Sequence, residues 1–533
     1  MRLYTIVILT VIYSSLFISL SWSQTDPVVE KIITIGKEDN QVMDHLDILC
    51  NRFGGRLVGS DAYENAAEWA AYKFREWGME VEMDEAGELH VGFNRGPWFG
   101  RLLGENGMHL HFATPSYTSG TKGVQTGHVL KEPGTQGEFD SMKGRLKGAW
   151  VLIGGENKGY PVDYSDEANK KRDSIIQVNS GIEKKNQEIR RANWRKPDNE
   201  KEELLPLNEE PALFYKQMKE AGILGIIQSS PVPIRVVYDR KNTPDMTWDS
   251  LPSVPDIKLD KHQYEIIEQM VEERQNFFLE FDIRNHFKMG PVKYHNVIGV
   301  IPGTEYPDEY VIMGGHLDAY DVATGGVDNG NGSTVAMEAA RLIMAAGGKP
   351  KRTILICLWA AEEFGLLGSK SWVERNDDKL ENISAMFNRD YGPLAPVSIS
   401  VSDSMWSDME KICEPVKSIN PDFPFEMKKR EPRPRPKGAW GSDHGPFAMK
   451  GVPTLRFGLE DVKGYDFNYG EIWHTERDQY NKSIKEYQEH AAIVLAVIVY
   501  GIANLDHRLS REGYYLPDEE PKETKGKKKK KRK

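Results

Sequence analysis

Short apolar runs alternate with amphipathic stretches between about residues 296 and 505. The runs "NVIGVI", "YVIMGG" and "TILICLWA" have the length and composition of buried strands, whereas "STVAMEAARLIMAAG" has the period of a helix. Strands that alternate with helices predict an α/β fold with a mixed, largely parallel sheet flanked by helices. In such sheets, ligands and catalytic groups gather at the strand ends.

The change of pattern along the chain predicts a main domain with an insertion. Residues 24–113, which contain the amphipathic "GRLVGSDAYENAAEWAAYKF", and residues 285–507 are predicted to form the main domain. Residues 114–284 are predicted to form a smaller β-rich domain, because they contain the strand-like "AWVLIGG" and the helix-strand unit "FYKQMKEAGILGIIQSS". A charged helical excursion at about 155–210 is interpreted as a solvated surface insertion, with a lid or a dimer-contact arm as the alternative.

Both ends of the sequence have distinctive compositions. Residues 1–23 resemble a secretory signal peptide, which predicts a secreted or periplasmic protein without stable membrane insertion after cleavage. An uncleaved N-terminal anchor is the alternative, although the apolar stretch is short for a span of roughly 20 residues. The apolar run at 491–503 is also too short to span a bilayer and predicts a buried terminal helix. Residues 508–533 are predicted to be a basic disordered tail.

Composition and charge restrict the classes of function. Hydrophobic residues make up 39% and charged residues 28% of the 533 residues, as in ordinary globular proteins. The net charge is -11 despite the basic tail, which argues against nucleic acid as a partner. Three cysteines, Cys50, Cys357 and Cys413, allow at most one disulfide, and Cys357 is expected to be a buried thiol.

The first candidate chemical group follows the strand-like "EYVIMGG". Side chains at i and i+2 of an extended chain share a face, so His316 can bind a metal while Asp318 bonds its ring or orients the site. Asp328 lies in the Gly- and Asn-rich turn "GGVDNGNGS", just before an apolar-periodic helix that Ser333 is expected to cap.

Further candidate groups come after later elements. Glu362 and Glu363 follow the strand "TILICLWA", Asp390 follows "ISAMFN", and His474 lies in "EIWHTERD". Imidazole and carboxylate ligands without thiolate suit zinc in an open catalytic site, with cobalt or manganese as alternatives. Five candidate ligands exceed the needs of one catalytic zinc, and two metals that share a carboxylate are the natural arrangement for hydrolysis.

The motifs H-x-D, D-N-G, E-E-x-G-L-x-G-S, N-x-D-x-G, S-D-H-x-x-F and W-H-T occur in this order. Together they resemble the co-catalytic dizinc exopeptidases of metallopeptidase family 28, which include aminopeptidases and carboxypeptidase Q-like enzymes. The resemblance covers nearly the whole mature chain and identifies residues 114–284 with the inserted protease-associated domain of that family.

The resemblance also implies a role for each candidate residue. It implies two Zn²⁺ ions bridged by Asp328, with His316 and Asp390 completing one site and Glu363 and His474 the other. It further implies that Glu362 is the general base, that Asp318 supports the site and that His444 stabilises the oxyanion, with a structural histidine as the alternative. The same family holds the peptide bond after the bridging aspartate in the cis form.

The implied reaction is hydrolysis of terminal peptide bonds in peptides or dipeptides. Aminopeptidase action is expected because it is the broadest activity of the family, and carboxypeptidase or dipeptidase action is the alternative. Arg433, Arg435, Lys437 and Glu471 are candidates for binding a substrate terminus, without a basis in sequence for choosing among them. Two other classes stay open, a single-zinc glutaminyl cyclase-like acyltransferase and an inactive binding scaffold. A peptide substrate and a homodimer are the predicted partners.

Overall fold

A computed structural model describes residues 26–105 and 107–517 of the chain. The predicted signal peptide at 1–23 and most of the predicted tail lie outside the described residues. The strands have the following bounds: β1 Glu80–Asn94, β2 Trp98–Leu103, β3 Met108–His109, β4 Phe112–Ala113, β5 Gln125–Lys131, β6 Ala149–Glu156, β7 Gly225–Ser230, β8 Asp256–Asp260, β9 Phe278–Ile283, β10 His286–Ile301, β11 Tyr306–His316, β12 Arg352–Trp359, β13 Ile383–Asn388, β14 Ala395–Val401, β15 Glu426–Lys429, β16 Thr454–Leu455 and β17 Phe457–Glu460.

The α-helices of the described chain lie mostly between these strands. Their bounds are α1 Pro27–Glu38, α2 Val42–Asp47, α3 Asp61–Glu76, α4 Gln136–Leu146, α5 Asp166–Asn193, α6 Tyr215–Glu220, α7 Lys261–Glu272, α8 Asn331–Ala345, α9 Leu367–Arg375, α10 Trp406–Cys413, α11 His444–Met449 and α12 Lys485–Ala503.

The main sheet has six strands in the order β1-β10-β12-β11-β13-β16. The pairs β1/β10 and β10/β12 are antiparallel, and β12, β11, β13 and β16 run parallel. Every residue of β12 is buried, as expected for a central strand that is covered on both faces. The predicted mixed, largely parallel α/β fold is confirmed, and the predicted terminal helix is α12, most of whose residues are buried.

A second sheet of eight strands has the order β3-β2-β9-β5-β6-β7-β8-β4. It begins at Trp98, so residues 98–113, which the sequence analysis assigned to the main domain, pair here instead. The reason is pairing with a distant strand: β2 pairs antiparallel with β9, and the ring of Phe112 in β4 packs edge-on against Phe281 at 5.0 Å between centroids. The strands β3 and β4 have two residues each and are too short to show a period in sequence.

The charged excursion contains the 28-residue helix α5, and an extended segment, 202–208, runs back along it. Asn179, Asn186 and Asn193 each donate to and accept from the backbone of one residue of that segment, at 2.7 to 3.0 Å. The three asparagines are seven residues apart, a rise of about 10.5 Å in a helix, and their partners are three residues apart, about 10 Å in an extended chain. The two spacings therefore agree. The extended segment therefore stabilises the helix.

Residues 508–517 are ordered parts of the fold, which corrects the predicted start of the disordered tail. Leu509 and Tyr514 are buried in the main core. Arg511 donates to the backbone carbonyls of Leu380 at 2.6 Å and Ile383 at 2.9 Å. Two tyrosines and a leucine of this segment bury apolar surface. The many charged residues around them did not indicate this in the sequence.

The cysteines and the helices agree with the remaining predictions from composition. Cys50, Cys357 and Cys413 are all buried free thiols. Within residues 26–105 and 107–517, every helix falls short of the length and apolar character that a membrane crossing requires.

Candidate metal centre

Three neighbouring parallel strands deliver the predicted side chains to one edge of the main sheet. The strand β11 lies between β12 and β13, with His316 level with Trp359 and Gly314 level with Asn388. The chain that continues from β12 to Glu362 and Glu363, and from β13 to Asp390, therefore emerges beside His316. The carboxyl ends of parallel strands are the usual position of ligand sites.

The five predicted metal ligands form two clusters that share Asp328. In the first, Nε2 of His316 lies 3.3 Å from Oδ1 of Asp328 and 3.4 Å from Oδ1 of Asp390. In the second, Nε2 of His474 lies 3.4 Å from Oδ2 of Asp328 and 3.1 Å from Oε2 of Glu363. The two oxygens of one carboxylate thus face two separate imidazoles.

The turn that carries Asp328 is fixed by backbone and side-chain hydrogen bonds. The amides of Val327 and Asp328 donate to the two oxygens of Asp478 at 2.6 and 3.2 Å. The Asn329 side chain donates to the Arg389 carbonyl at 2.8 Å and accepts from the Gly332 amide at 3.0 Å. A Cβ at Gly332 would lie 2.0 Å from that carbonyl, so only glycine fits there. The Asp328–Asn329 peptide bond is cis, as the resemblance implied.

Asp318 makes contacts of the kind predicted, whereas Ser333 does not. The Asp318 carbonyl accepts from Nδ1 of His316 at 2.9 Å, and its carboxylate accepts from the amides of Glu362 and Glu363, both at 3.1 Å. Asp318 therefore positions the Glu-Glu turn as well as the imidazole. Ser333 does not cap α8, which begins at Asn331, but donates to the His316 carbonyl at 2.6 Å.

The donor atoms of the two clusters form an environment that suits divalent cations. Single ligand atoms of His316, Glu362 and Asp390 lie within 4.8 Å of one another, and so do those of His316, Asp328 and Glu363. Among the described residues, the buried Nε2 of His316 and Oε1 of Glu363 make no hydrogen bond. Buried nitrogen and oxygen atoms that make no hydrogen bond and lie close to carboxylates fit the ligands of a bound metal. A set of imidazoles and carboxylates fits zinc.

The charges around these clusters shift the ionisation of each member. Although burial favours the neutral acid, the imidazoles of His316 and His474 hold the pKa of Asp328 well below its usual range. Burial opposes the imidazolium, yet Glu363 and Asp328 raise the pKa of His474 to about 9. Burial raises the pKa of Glu363 to about 7 against the opposing charge of His474. The clusters thus contain more acidic than basic groups and favour added positive charge.

The paired glutamates occupy different environments. Glu363 is buried with 4% of its surface exposed, whereas Glu362 is partly exposed and lines the open cavity at the metal centre. Burial, together with the nearby charges of Asp390 and Glu363, raises the pKa of Glu362 well above its usual value. A carboxylate with a raised pKa at the edge of a cavity is suited to accept a proton.

The loop that carries His474 is held in place by residues from distant parts of the chain. His474 has a φ of 60°, a left-handed conformation that a non-glycine residue adopts only when its surroundings enforce it. The Tyr320 ring packs on its imidazole at 4.4 Å, and Nη2 of Arg235 lies 3.3 Å from its Nδ1. The same guanidinium stacks on Trp473 at 4.3 Å.

His444, the predicted oxyanion residue, begins α11 at the border of the metal centre. Its ring lies 6.4 Å from that of Tyr391, and burial lowers its pKa, which favours the neutral imidazole. Its Nδ1 makes no hydrogen bond with the described residues. The preceding Asp443 is completely buried, and burial raises its pKa to about 7.

An open cavity of about 560 Å³ gives access to the metal centre. Its charged lining consists of Asp328, Glu362, Glu363 and Asp390 together with one arginine, Arg240, and with His474. Aromatic side chains form much of the remaining wall, namely Tyr391, Trp440, Tyr469 and Trp473. The cavity can therefore accept a small polar molecule with an apolar portion.

The sequence model of peptidase family M28 matches residues 296–498. Residues 296–498 belong to peptidase family M28. This M28 domain includes all of the predicted metal ligands together with Asp318, Glu362 and His444.

Curated peptidases are similar to parts of this chain. Carboxypeptidase Q of Rattus norvegicus is 27% identical over 272 residues, which are 49% of this chain and 52% of that protein. A probable glutamate carboxypeptidase of Arabidopsis thaliana is 50% identical over 93 residues, 17% of this chain and 13% of that protein. The chain spans about half the length of the curated carboxypeptidase Q relatives it matches.

A solved structure shares the fold over nearly the whole chain. The peptidase M28 precursor from Shewanella amazonensis superposes with a TM-score of 0.55 at 20% identity, covering 92% of this chain and 98% of that one.

Three residues that contact the M28 site were not predicted from the sequence. Asp478 follows His474 by four residues and could have been noticed in "HTERD". Arg235 and Arg240 come from the inserted segment, more than 230 residues before His474 in the case of Arg235 and far from every motif. Only the fold brings them to the M28 domain.

Proposed function

We propose that this protein is a dizinc exopeptidase that hydrolyses terminal peptide bonds of short peptides. The observation that carries the proposal is that the two oxygens of Asp328 face two imidazoles, each with a second carboxylate beside it. A carboxylate shared between two such clusters is the arrangement that a two-metal hydrolytic site requires. The membership of residues 296–498 in peptidase family M28 supports the same conclusion.

In this proposal, His316, Asp328 and Asp390 would hold one zinc, and Asp328, Glu363 and His474 the other. Zinc bound there would polarise the scissile carbonyl and make water more acidic. The arginine stacked on Trp473 and the ring of Tyr320 keep the His474 loop in position for this role. Asp478 and Asn329 fix the turn that carries Asp328.

The protein's own groups would perform the proton transfers. Glu362 accepts the proton of the attacking water at its carboxylate and then delivers it to the nitrogen of the leaving amine. Asp318 holds the Glu362 amide and so sets the direction of that carboxylate. His444, at the border of the cavity, would donate a hydrogen bond to the oxygen that develops negative charge.

The charges in the cavity favour a substrate with a free carboxyl terminus. The four lining carboxylates of the described chain are already assigned to the metals and the base, which leaves none for an α-ammonium group. Arg240 is the one arginine in this lining, and among the described residues no carboxylate pairs with it. We therefore propose carboxypeptidase or dipeptidase action in preference to the aminopeptidase action expected from sequence, and the names of the curated relatives support this choice.

The decisive experiment compares three versions of one dipeptide with the zinc-loaded full chain: free, N-acetylated and C-amidated. We expect cleavage of the free and N-acetylated forms and loss of cleavage on amidation, with two zinc ions per chain by elemental analysis. Cleavage that is lost only on N-acetylation would contradict carboxypeptidase action and favour an aminopeptidase. One tight zinc per chain would favour the cyclase-like alternative, and metal binding without any turnover would favour the scaffold.

Replacement of Arg240 with Ala is expected to raise KM for an N-acetylated dipeptide about tenfold with a much smaller change in kcat. The guanidinium would bind the α-carboxylate equally in the ground and transition states, and such uniform binding affects KM. Steady-state kinetics measure both constants. The control is Arg145→Ala, an exposed arginine of the second domain, which should change neither. An unchanged KM in the Arg240 variant would place the carboxylate elsewhere.

The remaining predictions stand as proposals of the same kind. The eight-stranded sheet and its β-rich surroundings support assigning this segment, from Trp98, as a protease-associated domain. Secretion rests on the first 23 residues of the sequence alone. A homodimer, with α5 as a contact arm, is testable by light scattering.

A further inference from the structure

A second cavity adjoins the metal centre, and of its lining residues only His444 has a part in the proposed reaction. Its volume is about 690 Å³, and we call it the basic cleft. The two cavities share Trp440 and Gly441 in their linings, and His444 lines the basic cleft at this border. A substrate that occupies the metal centre can therefore extend into the basic cleft without leaving the protein surface.

The lining of the basic cleft is strongly cationic. Arg430, Arg433 and Arg456 contribute three positive charges, Lys429 contributes a fourth that pairs with Asp403 at 2.9 Å, and Glu431 is the one acidic residue in the described lining. A concave surface with charges of one sign concentrates ligands of the opposite sign. This excess is notable because the protein as a whole has a net charge of -11.

Contacts with tyrosine residues hold the arginines of the basic cleft in position. Arg430 donates to the Tyr514 carbonyl and stacks on the Tyr514 ring at 3.7 Å. Arg456 stacks on Tyr391 at 4.4 Å, next to the metal-centre residue Asp390. The backbone of Arg433 forms a β-bridge with that of Tyr515, and its exposed side chain lines the cleft. The segment 508–517 thus completes the site.

Arg240 and the basic cleft lie beside different metal clusters. Arg240 lies near Tyr320, whose ring packs on His474 in the second cluster. The cleft instead contains His444, whose ring lies 6.4 Å from that of Tyr391, the residue that follows Asp390 of the first cluster. If the α-carboxylate of the substrate is bound at Arg240, the residues before the scissile bond extend towards the cleft.

We propose that the basic cleft binds side-chain carboxylates of the peptide residues that precede the scissile bond, so that the enzyme prefers acidic peptides. This inference rests on the proposed exopeptidase function and names its substrate class. The ligand chemistry is an acidic side chain in an extended peptide, held by guanidinium groups that match carboxylate geometry.

The test compares N-acetyl-Glu-Ala with N-acetyl-Gln-Ala, which have the same shape and differ in one charge. With the zinc-loaded full chain we expect kcat/KM to be about tenfold higher for the Glu peptide, and we expect added salt to reduce this ratio. In the double variant Arg433→Gln, Arg456→Gln the ratio should fall to about one. A ratio of one or less in the unmodified chain, or a ratio that the double variant leaves unchanged, would overturn the proposal.

Controls separate this inference from folding and from the proposed function. Arg101→Gln removes a charge from the second sheet, where Arg101 pairs with Glu280, and should retain the Glu/Gln ratio. Because Arg456 lies close to Asp390, zinc content and circular dichroism are measured for the double variant. The single variant Arg433→Gln, at an exposed position, should lower the Glu/Gln ratio by itself. If neither N-acetylated peptide is cleaved, the proposed carboxypeptidase action fails. The cleft is then judged by calorimetric binding, where equal affinity for both peptides would refute it.

Discussion

Replacement of Glu362 with Gln is expected to lower kcat by about 10³-fold while both zinc ions remain bound. Gln keeps the size of the side chain and its place at the edge of the cavity but cannot accept a proton. The change leaves buried Glu363 in place, together with the hydrogen bonds from the amides of residues 362 and 363 to the Asp318 carboxylate. Steady-state kinetics with an N-acetylated dipeptide and elemental analysis of the same sample provide the measurement.

A matched control and a pair of conservative variants sharpen this prediction. Glu374→Gln, at an exposed position of α9, should leave kcat and zinc content unchanged. Glu362→Asp should first reduce the rate, whereas Glu363→Asp should first reduce zinc content, because a shorter side chain at 363 withdraws a ligand. Near-normal turnover in the fully metal-loaded Glu362→Gln protein would show that another group is the base.

The central strands and the residues at their ends were predictable because both follow a strong local pattern. The strands β11, β12 and β13 are buried apolar runs, and each continues directly into a His or carboxylate. The parallel order of these strands then places His316, Glu363 and Asp390 together without further information. Periodicity and strand-end chemistry were sufficient for this part of the site.

The contacts made by the inserted segment were not predictable in the same way. Arg235 and Arg240 lie in a loop without a motif, and their roles depend on how that segment folds over the metal centre. The Tyr238 ring of this loop stacks on Phe364 at 4.2 Å, a contact between residues more than 120 positions apart. The periodicity of a sequence reveals its strands and helices but not which distant loops are in contact.

The domain boundary and the C-terminal segment were misjudged for a related reason. The strands β3 and β4 have two residues each, so they are defined by their partners and not by a period of their own. Residues 508–517 were grouped with the lysine-rich tail because of charge, yet Arg511 uses its charge to bind buried carbonyls. Charge in a sequence does not distinguish a solvated side chain from one that completes a hydrogen-bond network.

Replacement of Asp328 with Asn is expected to remove zinc from both subsites and to reduce turnover by at least about 10³-fold. The amide keeps the shape of the carboxylate, but its nitrogen cannot bind a metal, and the negative charge between the imidazoles of His316 and His474 is lost. By contrast, Glu363→Gln should affect the second subsite first and leave about one zinc per chain. Elemental analysis after dialysis and calorimetric zinc titration measure both stoichiometries.

The difference between these two variants tests the bridging role of Asp328 in particular. The turn of Asp328 is fixed by backbone donors to Asp478, which the substitution leaves in place, so the fold should be retained. Equal circular dichroism spectra of the metal-free proteins would establish this. If Asp328→Asn still bound one zinc as tightly as the unmodified chain, the two clusters would be independent sites. Because each oxygen of Asp328 faces a different imidazole at 3.3 and 3.4 Å, we expect loss of both ions.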